Sequence, residues 1–328
     1  MPDRPADPLV IDRVSLEMGL PSRWRARRMR ILDDVDLTLA PGEIVGLVGE
    51  SGSGKTTLGL TLVGRHSPTR GAIRLGGAPL APGTPTQRRL QMVFQDPLGS
   101  FNPRRRVGDA VRLALDVHRI GLPSAREDIV AALFAQVGLA SEHAVRFPHA
   151  LSGGQLQRVA MARALATRPD FIVADEPVSK LDVSVRAQIL NLVRRTNAET
   201  GVGLLFITHD LAAAQFLCHR IAVMYLGRIV EVGTPEVVLG RPRHPYTARL
   251  VAGAAYDGAA GTDPRLGPRE ACFYAPACRR RQPGCFEARP PLDETGLACF
   301  HPEGILPGAA SAERTLPKGH RDAVTARA

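Results

Sequence analysis

Five consecutive apolar or small residues, Ile44-Val45-Gly46-Leu47-Val48, run directly into Gly49-Glu50-Ser51-Gly52-Ser53-Gly54-Lys55-Thr56. This junction constrains the fold more than any other stretch of the chain. A run of this length without alternation suits a strand buried on both faces of a parallel sheet. The glycines allow a tight turn that points backbone N–H groups inward, and the pattern G-x-x-x-x-G-K-[ST] is complete. Such a loop between a strand and a helix cradles phosphate, helped by the positive end of the following helix. The expected parts are Lys55 on the β and γ phosphates and the Thr56 hydroxyl on magnesium, with Thr57 beside it at the start of the helix. The bland alternative, a chance glycine-rich turn, does not account for the strand–loop–helix context.

A second segment fits the same chemistry. In Phe171-Ile172-Val173-Ala174-Asp175-Glu176 an apolar strand ends in two carboxylates. Ligands gather at the carboxyl ends of parallel strands. Asp175 is placed to hold magnesium through water, and Glu176 to polarise an attacking water. An Asp-Glu pair at a strand end is common, and its meaning here comes from the phosphate loop.

Elsewhere the chain alternates strand and helix. Strands are expected at about 9–16, 35–39, 90–94, 171–174, 204–208 and 221–225. Helices are expected from about Lys55, over 107–117 and 124–137, after Ser152, over 183–200 and from near Asp210. Ser124 and Glu127 have capping-box spacing. Such alternation implies an α/β fold with a parallel sheet and helices on both faces. After about residue 240, Pro, Gly, Arg and Ala increase and periodicity weakens. Residues 241–328 read as an appendage, and the last twenty or so as disordered.

Composition excludes some classes. No apolar run approaches the ~20 residues that cross a bilayer, and residues 1–8 are polar and proline-rich, unlike a secretory signal. The formal net charge is +10. Arg23, Arg25, Arg27, Arg28 and Arg30, then Arg104, Arg105 and Arg106, invite a nucleic-acid or membrane-surface reading, or a solvated loop. Aromatic residues are 5% and are not interleaved with these arginines, which argues against a base-stacking surface. No nucleic-acid partner is expected.

Four of the five cysteines fall in Cys272-x5-Cys278-x6-Cys285-x13-Cys299. Four thiolates suit a [4Fe–4S] cluster or tetrahedral zinc. The absence of a short C-x2-C knuckle favours the cluster, and free thiols remain the alternative. Arg279, Arg280 and Arg281 could offset a cluster's negative charge. Cys218, on an expected helix among Phe216 and Leu217, reads as core.

Leu151-Ser152-Gly153-Gly154-Gln155 lies between the two phosphate-site segments and resembles the signature of ATP-binding cassette (ABC) ATPases. Other motifs of that family stand in order: Gln95 at the Q-loop position, Ser179-Lys180-Leu181-Asp182 at the D-loop, and His209 of Thr208-His209-Asp210 at the switch. A finer resemblance, to the dipeptide/oligopeptide/nickel importer ATPases and to the second of their two paired ATPases, lies in Met92–Pro97, Ser100–Pro103, Asp182–Leu192, Met224–Glu231 and His244-Pro245-Tyr246-Thr247.

The resemblance implies an ABC-type P-loop NTPase core with a parallel sheet, an antiparallel β subdomain and an inserted helical subdomain at about 96–165. The ATPase domain would occupy residues 1–240, with the cysteine-containing appendage after it. ATP and Mg2+ are the implied cofactors. Glu176, His209, Lys55 and Gln95 are the implied catalytic groups. Gly49, Glu50, Ser51, Gly52, Ser53, Gly54, Lys55, Thr56, Thr57, Gln95 and Asp175 would bind nucleotide, with Thr56, Gln95 and Asp175 at magnesium. Ser152, Gly153, Gly154 and Gln155 would face the γ-phosphate held by an opposite subunit. The implied partners are a paralogous ATPase, two membrane permeases and, indirectly, an extracytoplasmic solute-binding protein, with the chain at the cytoplasmic face of the membrane. The implied cargo is di- or oligopeptide. A nickel or other small-solute importer is the runner-up, and a soluble ABC ATPase acting on ribosomes or nucleic acid comes third.

Two positions depart from the family. No aromatic residue stands near Met18–Leu20 to stack on adenine, and Trp24 is the nearest candidate. Lys180 occupies a D-loop position where a small residue is usual, and either alters communication between subunits or points to solvent.

Overall fold

The computed structural model describes residues 7–19, 28–80, 85–253 and 270–303. Trp24, Arg23, Arg25, Arg27 and the expected disordered tail lie outside the described residues. No described helix is long and apolar enough to cross a membrane.

Two sheets form the body. An antiparallel sheet has the order β2 (Arg28–Leu39), β1 (Leu9–Gly19), β4 (Arg70–Leu75), β5 (Ala78–Pro79). The larger sheet runs β10 (Arg228–Gly233), β9 (Arg220–Tyr225), β3 (Ile44–Val48), β8 (Gly203–Thr208), β7 (Phe171–Asp175), β6 (Leu90–Val93). All its pairings are parallel except β10 with β9. β3, β7 and β8 are buried along their whole length, which explains their unbroken apolar runs.

Alternate residues of these strands enter two cores. Ile44, Val48, Ile172, Ala174, Leu204 and Phe206 join one. Val45, Leu47, Phe171, Val173, Leu205 and Ile207 join the other, with Leu58 and Leu62 of α1 (Lys55–Leu62) and the antiparallel sheet. The first core takes in α5 (Val183–Thr200) and α6 (Leu211–Leu217) on its face of the sheet. It extends through α4 (Gly153–Leu165) to α2 (Val107–Val117) and α3 (Arg126–Gln136). Helices therefore cover both faces.

Ser124 and Glu127 do not form the expected capping box. Pro123–Ala125 make a 3-10 turn, Ala125 caps α3 without a side-chain bond, and Glu127 pairs with Arg112. Proline at the first turn position pre-sets a conformation that displaces Ser124 from the cap.

The C-terminal segments are packed into the body. α7 (Pro235–Gly240) and α8 (Pro245–Val251) follow β10. Tyr246, Phe273, Tyr274 and Cys278 belong to the first core. Val232 N–H donates to Gly296 C=O (2.7 Å) and Ala298 N–H to Val230 C=O (2.9 Å), so residues 296–298 cover the edge of β10, which would otherwise present unpaired backbone. A short helix, α9 (Gly284–Glu287), precedes this segment.

Candidate nucleotide site

The phosphate loop leaves β3 with positive φ at three glycines: Gly49 (+155°), Gly52 (+78°) and Gly54 (+105°). A Cβ on Gly49 would lie 2.2 Å from the Met224 carbonyl oxygen, so only glycine fits where the loop passes β9. Gly54 caps α1. Lys55 is buried and folds its ammonium back into the loop, donating to Gly49 C=O (2.8 Å), Glu50 C=O (2.8 Å) and Ser53 Oγ (3.3 Å). Burial lowers its pKa, opposed by the carboxylates of Glu176, Asp175 and Glu50. Thr57 follows Thr56 in the first turn of α1, and its carbonyl accepts from Thr61 Oγ1. Ser51 and Gly52 sit at the exposed rim of the loop.

The carboxylates stand at the end of β7. Thr56 Oγ1 donates to Asp175 Oδ1 (3.1 Å). Burial raises the Asp175 pKa; the Thr56 bond and Lys55 pull it back, while Glu176 adds to the rise. Glu176 adopts φ +44°, a conformation that costs a non-glycine residue about 1–3 kcal/mol and collects at functional sites. Its N–H donates to Ile207 C=O (2.9 Å). Its carboxylate is bracketed: Gln95 Nε2 donates to Oε2 (2.8 Å), and His209 Nδ1 meets Oε1 (3.0 Å). The ends of β3, β6, β7 and β8 thus bring together Lys55, Thr56, Gln95, Asp175, Glu176 and His209.

The segment Ser152–Gln155 has different neighbours. Ser152 caps α4, accepting from Gln155 N–H (3.2 Å), and Gln155 Oε1 accepts from Ser152 N–H (3.0 Å). This capping box was not read from the sequence, where the segment drew attention only as a motif. Among the described residues, its hydrogen bonds stay local or reach His143. Ser152 and Gly153 are exposed, while Gly154 is buried and would bring a Cβ within 2.4 Å of Val185 Cγ1. Val185 lies in the first turn of α5, next to Asp182, whose side chain caps that helix (2.9 Å to Val185 N–H). Lys180 is exposed.

The arginine stretches separate. Arg104, Arg105 and Arg106 are exposed, whereas Arg30 is buried against Asp33 (3.4 Å) and is no part of a solvated loop. Met18 is 40% exposed at the end of β1. Cys218 is buried in the core, its thiol pushed up to about 12 by burial.

Cys272, Cys278, Cys285 and Cys299 line one small cavity with His244, Tyr274 and Arg280. Cys272 N–H donates to Cys285 C=O (2.9 Å). Burial raises the thiol pKa of Cys272, Cys278 and Cys299, the last to about 11. Among the described residues, no group of three or more His, Cys, Asp or Glu side chains is placed to hold a single metal ion.

Two contacts at the phosphate loop had no sequence signal. Glu50 N–H donates to Tyr246 Oη (3.0 Å), and Arg249 Nη2 donates to Glu50 Oε1 (2.8 Å). His-Pro-Tyr-Thr stood out as a motif, but nothing in it pointed to the loop.

Comparison with known proteins agrees with this geometry. Residues 32–179 match the ABC transporter family. A peptide import ATP-binding protein of Brucella ovis is 40% identical over 293 residues, covering 84% of this chain and 92% of that protein. The dipeptide transport ATP-binding protein DppF of Escherichia coli is 39% identical over 292 residues, covering 84% and 87%. A dimeric ATP-binding cassette solved in a post-hydrolysis state bound to ADP and Pi superposes with a TM-score of 0.62 and 27% identity, covering 69% of this chain and 98% of that one. The fold and site therefore define an ABC-type ATPase cassette. The chain belongs to the ABC transporter ATP-binding proteins.

Proposed function

We propose that the chain is the ATP-hydrolysing subunit of a membrane importer of di- and oligopeptides. One observation carries the catalytic part: Glu176, strained and bracketed by Gln95 and His209 at 2.8 and 3.0 Å, stands beside the Thr56–Asp175 pair. Identity of about 40% to peptide import ATP-binding proteins over most of the chain supports the cargo.

ATP would seat its phosphates on the N–H groups of residues 52–57, and Lys55 would turn from its loop carbonyls to the β and γ oxygens. Thr56, Asp175 and Gln95 would hold magnesium, which would supply positive charge against the phosphates. Glu176 would orient a water for in-line attack on the γ-phosphorus and accept its proton as the bond to ADP breaks. His209 would hold the transferring phosphoryl group. Ser152, Gly153, Gly154 and Gln155 are distant in hydrogen bonding from the chain's own loop, and the exposed N-terminus of α4 suits a γ-phosphate bound by a partner. The site is then complete only in a dimer, here with a paralogous ATPase. The groove beside Gln95, lined by Phe94, Asp96, Ser100 and Arg163, would receive a permease at the cytoplasmic face of the membrane. A solute-binding protein would act on the permeases from the other side.

The four cysteines would hold a [4Fe–4S] cluster. Their convergence on one cavity with Arg280 at its wall supports this. The cluster would supply a staple for residues 270–303, not redox chemistry at the nucleotide. Anaerobic purification followed by iron, sulfide and zinc analysis tests this: about four irons per chain support it, one zinc replaces it, and no metal refutes it.

The function itself is tested by co-expression with two candidate permeases and a second ATPase, followed by reconstitution in vesicles. ATP turnover stimulated by peptide-loaded binding protein, with peptide accumulating inside, is the expected result. Stimulation by nickel instead of peptide would reassign the cargo, and full turnover by the isolated monomer would refute the shared site.

A further inference from the structure

Helix α8 supplies nothing to the phosphate chemistry above, yet it grips the loop that performs it. Tyr246 is fully buried, and its hydroxyl takes the Glu50 N–H at 3.0 Å. Arg249, three residues on, reaches the Glu50 carboxylate at 2.8 Å, with its side chain 12% exposed. One residue of the loop is thus held by backbone and side chain at once.

The two gripping residues are themselves fixed. Tyr246 packs against Tyr225 of β9 (centroids 4.5 Å) and Tyr274 (5.7 Å). The Arg249 guanidinium lies 5.3 Å from the Tyr246 ring and 5.6 Å from that of Tyr274. Tyr274 also walls the four-cysteine cavity.

A phosphate loop binds by pre-set N–H groups, and any freedom it has when empty must be lost on binding. The Glu50 N–H is consumed by Tyr246 and so is not offered to a phosphate. Its role is to fix where the loop begins its turn.

We infer that Tyr246 and Arg249 are positioning residues of the nucleotide site, acting through Glu50, and that the cysteine-bearing segment backs them through Tyr274. This rests on the nucleotide-site reading above. Loss of the grip should weaken ATP binding while leaving the chemical step of bound ATP nearly unchanged, because neither residue touches the reacting atoms.

The test compares Tyr246→Phe, Arg249→Gln and Tyr274→Phe in the full chain by equilibrium binding of a fluorescent ATP analogue with magnesium. ATP KM and kcat are then measured in the assembled transporter. Tyr246→Phe keeps the ring and removes only the hydroxyl. It should raise the dissociation constant and KM more than two-fold, up to about 5-fold, the ceiling set by one net hydrogen bond, with kcat within two-fold. Arg249→Gln should move KM in the same direction; Tyr274→Phe, which keeps the ring that packs on Tyr246 and Arg249, should leave it within two-fold, and Tyr274→Ala, which removes that ring, should raise it, an unchanged KM there overturning the backing role of Tyr274. If Tyr246→Phe fails to fold, Arg249→Gln decides. A parent chain that binds no nucleotide overturns the nucleotide reading and this inference together. A parent chain that binds, with Tyr246→Phe and Arg249→Gln both within two-fold of it, overturns the positioning role alone.

Discussion

Glu231→Gln is the substitution whose effect can be worked most fully from the structure. Glu231 lies on β10 and is completely buried. Its Oε1 accepts from Arg243 N–H (3.0 Å) and Arg243 Nε (3.3 Å), and its Oε2 from His244 N–H (3.0 Å). The Arg243 side chain is 23% exposed and also donates to Thr295. This one carboxylate ties β10, the start of α8 and the cysteine segment together. A glutamine keeps one acceptor oxygen and turns an NH2 towards the other backbone donor. Orphaning that buried donor costs about 1–3 kcal/mol. Losing the charge opposite Arg243 brings the total to about 3–5 kcal/mol, the usual effect of breaking a buried ion pair. At about 2–4 °C per kcal/mol for a body of this size, the melting temperature should fall by about 6–20 °C. Thermal unfolding followed by circular dichroism measures it. A fall of less than about 2 °C would mean that the carboxylate does not organise this junction, and that the packing of α8 has another origin.

His244 is also buried, and its Nδ1 accepts from Tyr246 N–H (3.0 Å). Burial pushes its pKa down to about 3 from an ordinary 6.5. The unfolded chain therefore takes up a proton that the folded chain refuses, and stability is full above about pH 6.5 and lost as pH falls towards 3, at about 1.4 kcal/mol per pH unit. Urea unfolding at pH 7 and pH 5 should show this loss, and His244→Asn, which keeps an acceptor for Tyr246, should reduce it; equal pH slopes in the two proteins would refute the assignment. Asp175 is a carboxylate whose pKa burial raises, so its stabilising protonated form is lost as pH rises through that pKa and the ionised form burdens the empty site at neutral pH. Asp175→Asn, which keeps the acceptor for Thr56, should raise the melting temperature of the nucleotide-free chain and abolish the further rise on adding magnesium and ATP; a preserved rise would remove Asp175 from the metal site.

The sequence was most legible where burial is complete and chemistry is local. The strand at 44–48 and the helix at 183–200 are continuous apolar and periodic runs, and the loop at Gly49–Thr56 carries its geometry in its glycines. What lay hidden depends on distant partners. Glu50 and Tyr246 are 196 positions apart in sequence, so no local pattern could pair them. β10 was missed because a charged residue, Glu231, sits at its buried centre and interrupts the apolar pattern. The same carboxylate then anchors α8, where Pro, Arg and His suggest a loop. The Ser124–Glu127 spacing misled because Pro123 starts the turn earlier and Arg112 claims Glu127.

The central claim is that Glu176 activates the water that cleaves ATP in a site shared between two ATPase subunits. ATP turnover of the assembled transporter carrying Glu176→Gln, with the partner's own site inactivated, tests it most directly. The expected result is loss of turnover with ATP still bound and the two ATPases held together as a stable dimer. Turnover near that of the parent complex under the same conditions would contradict the claim.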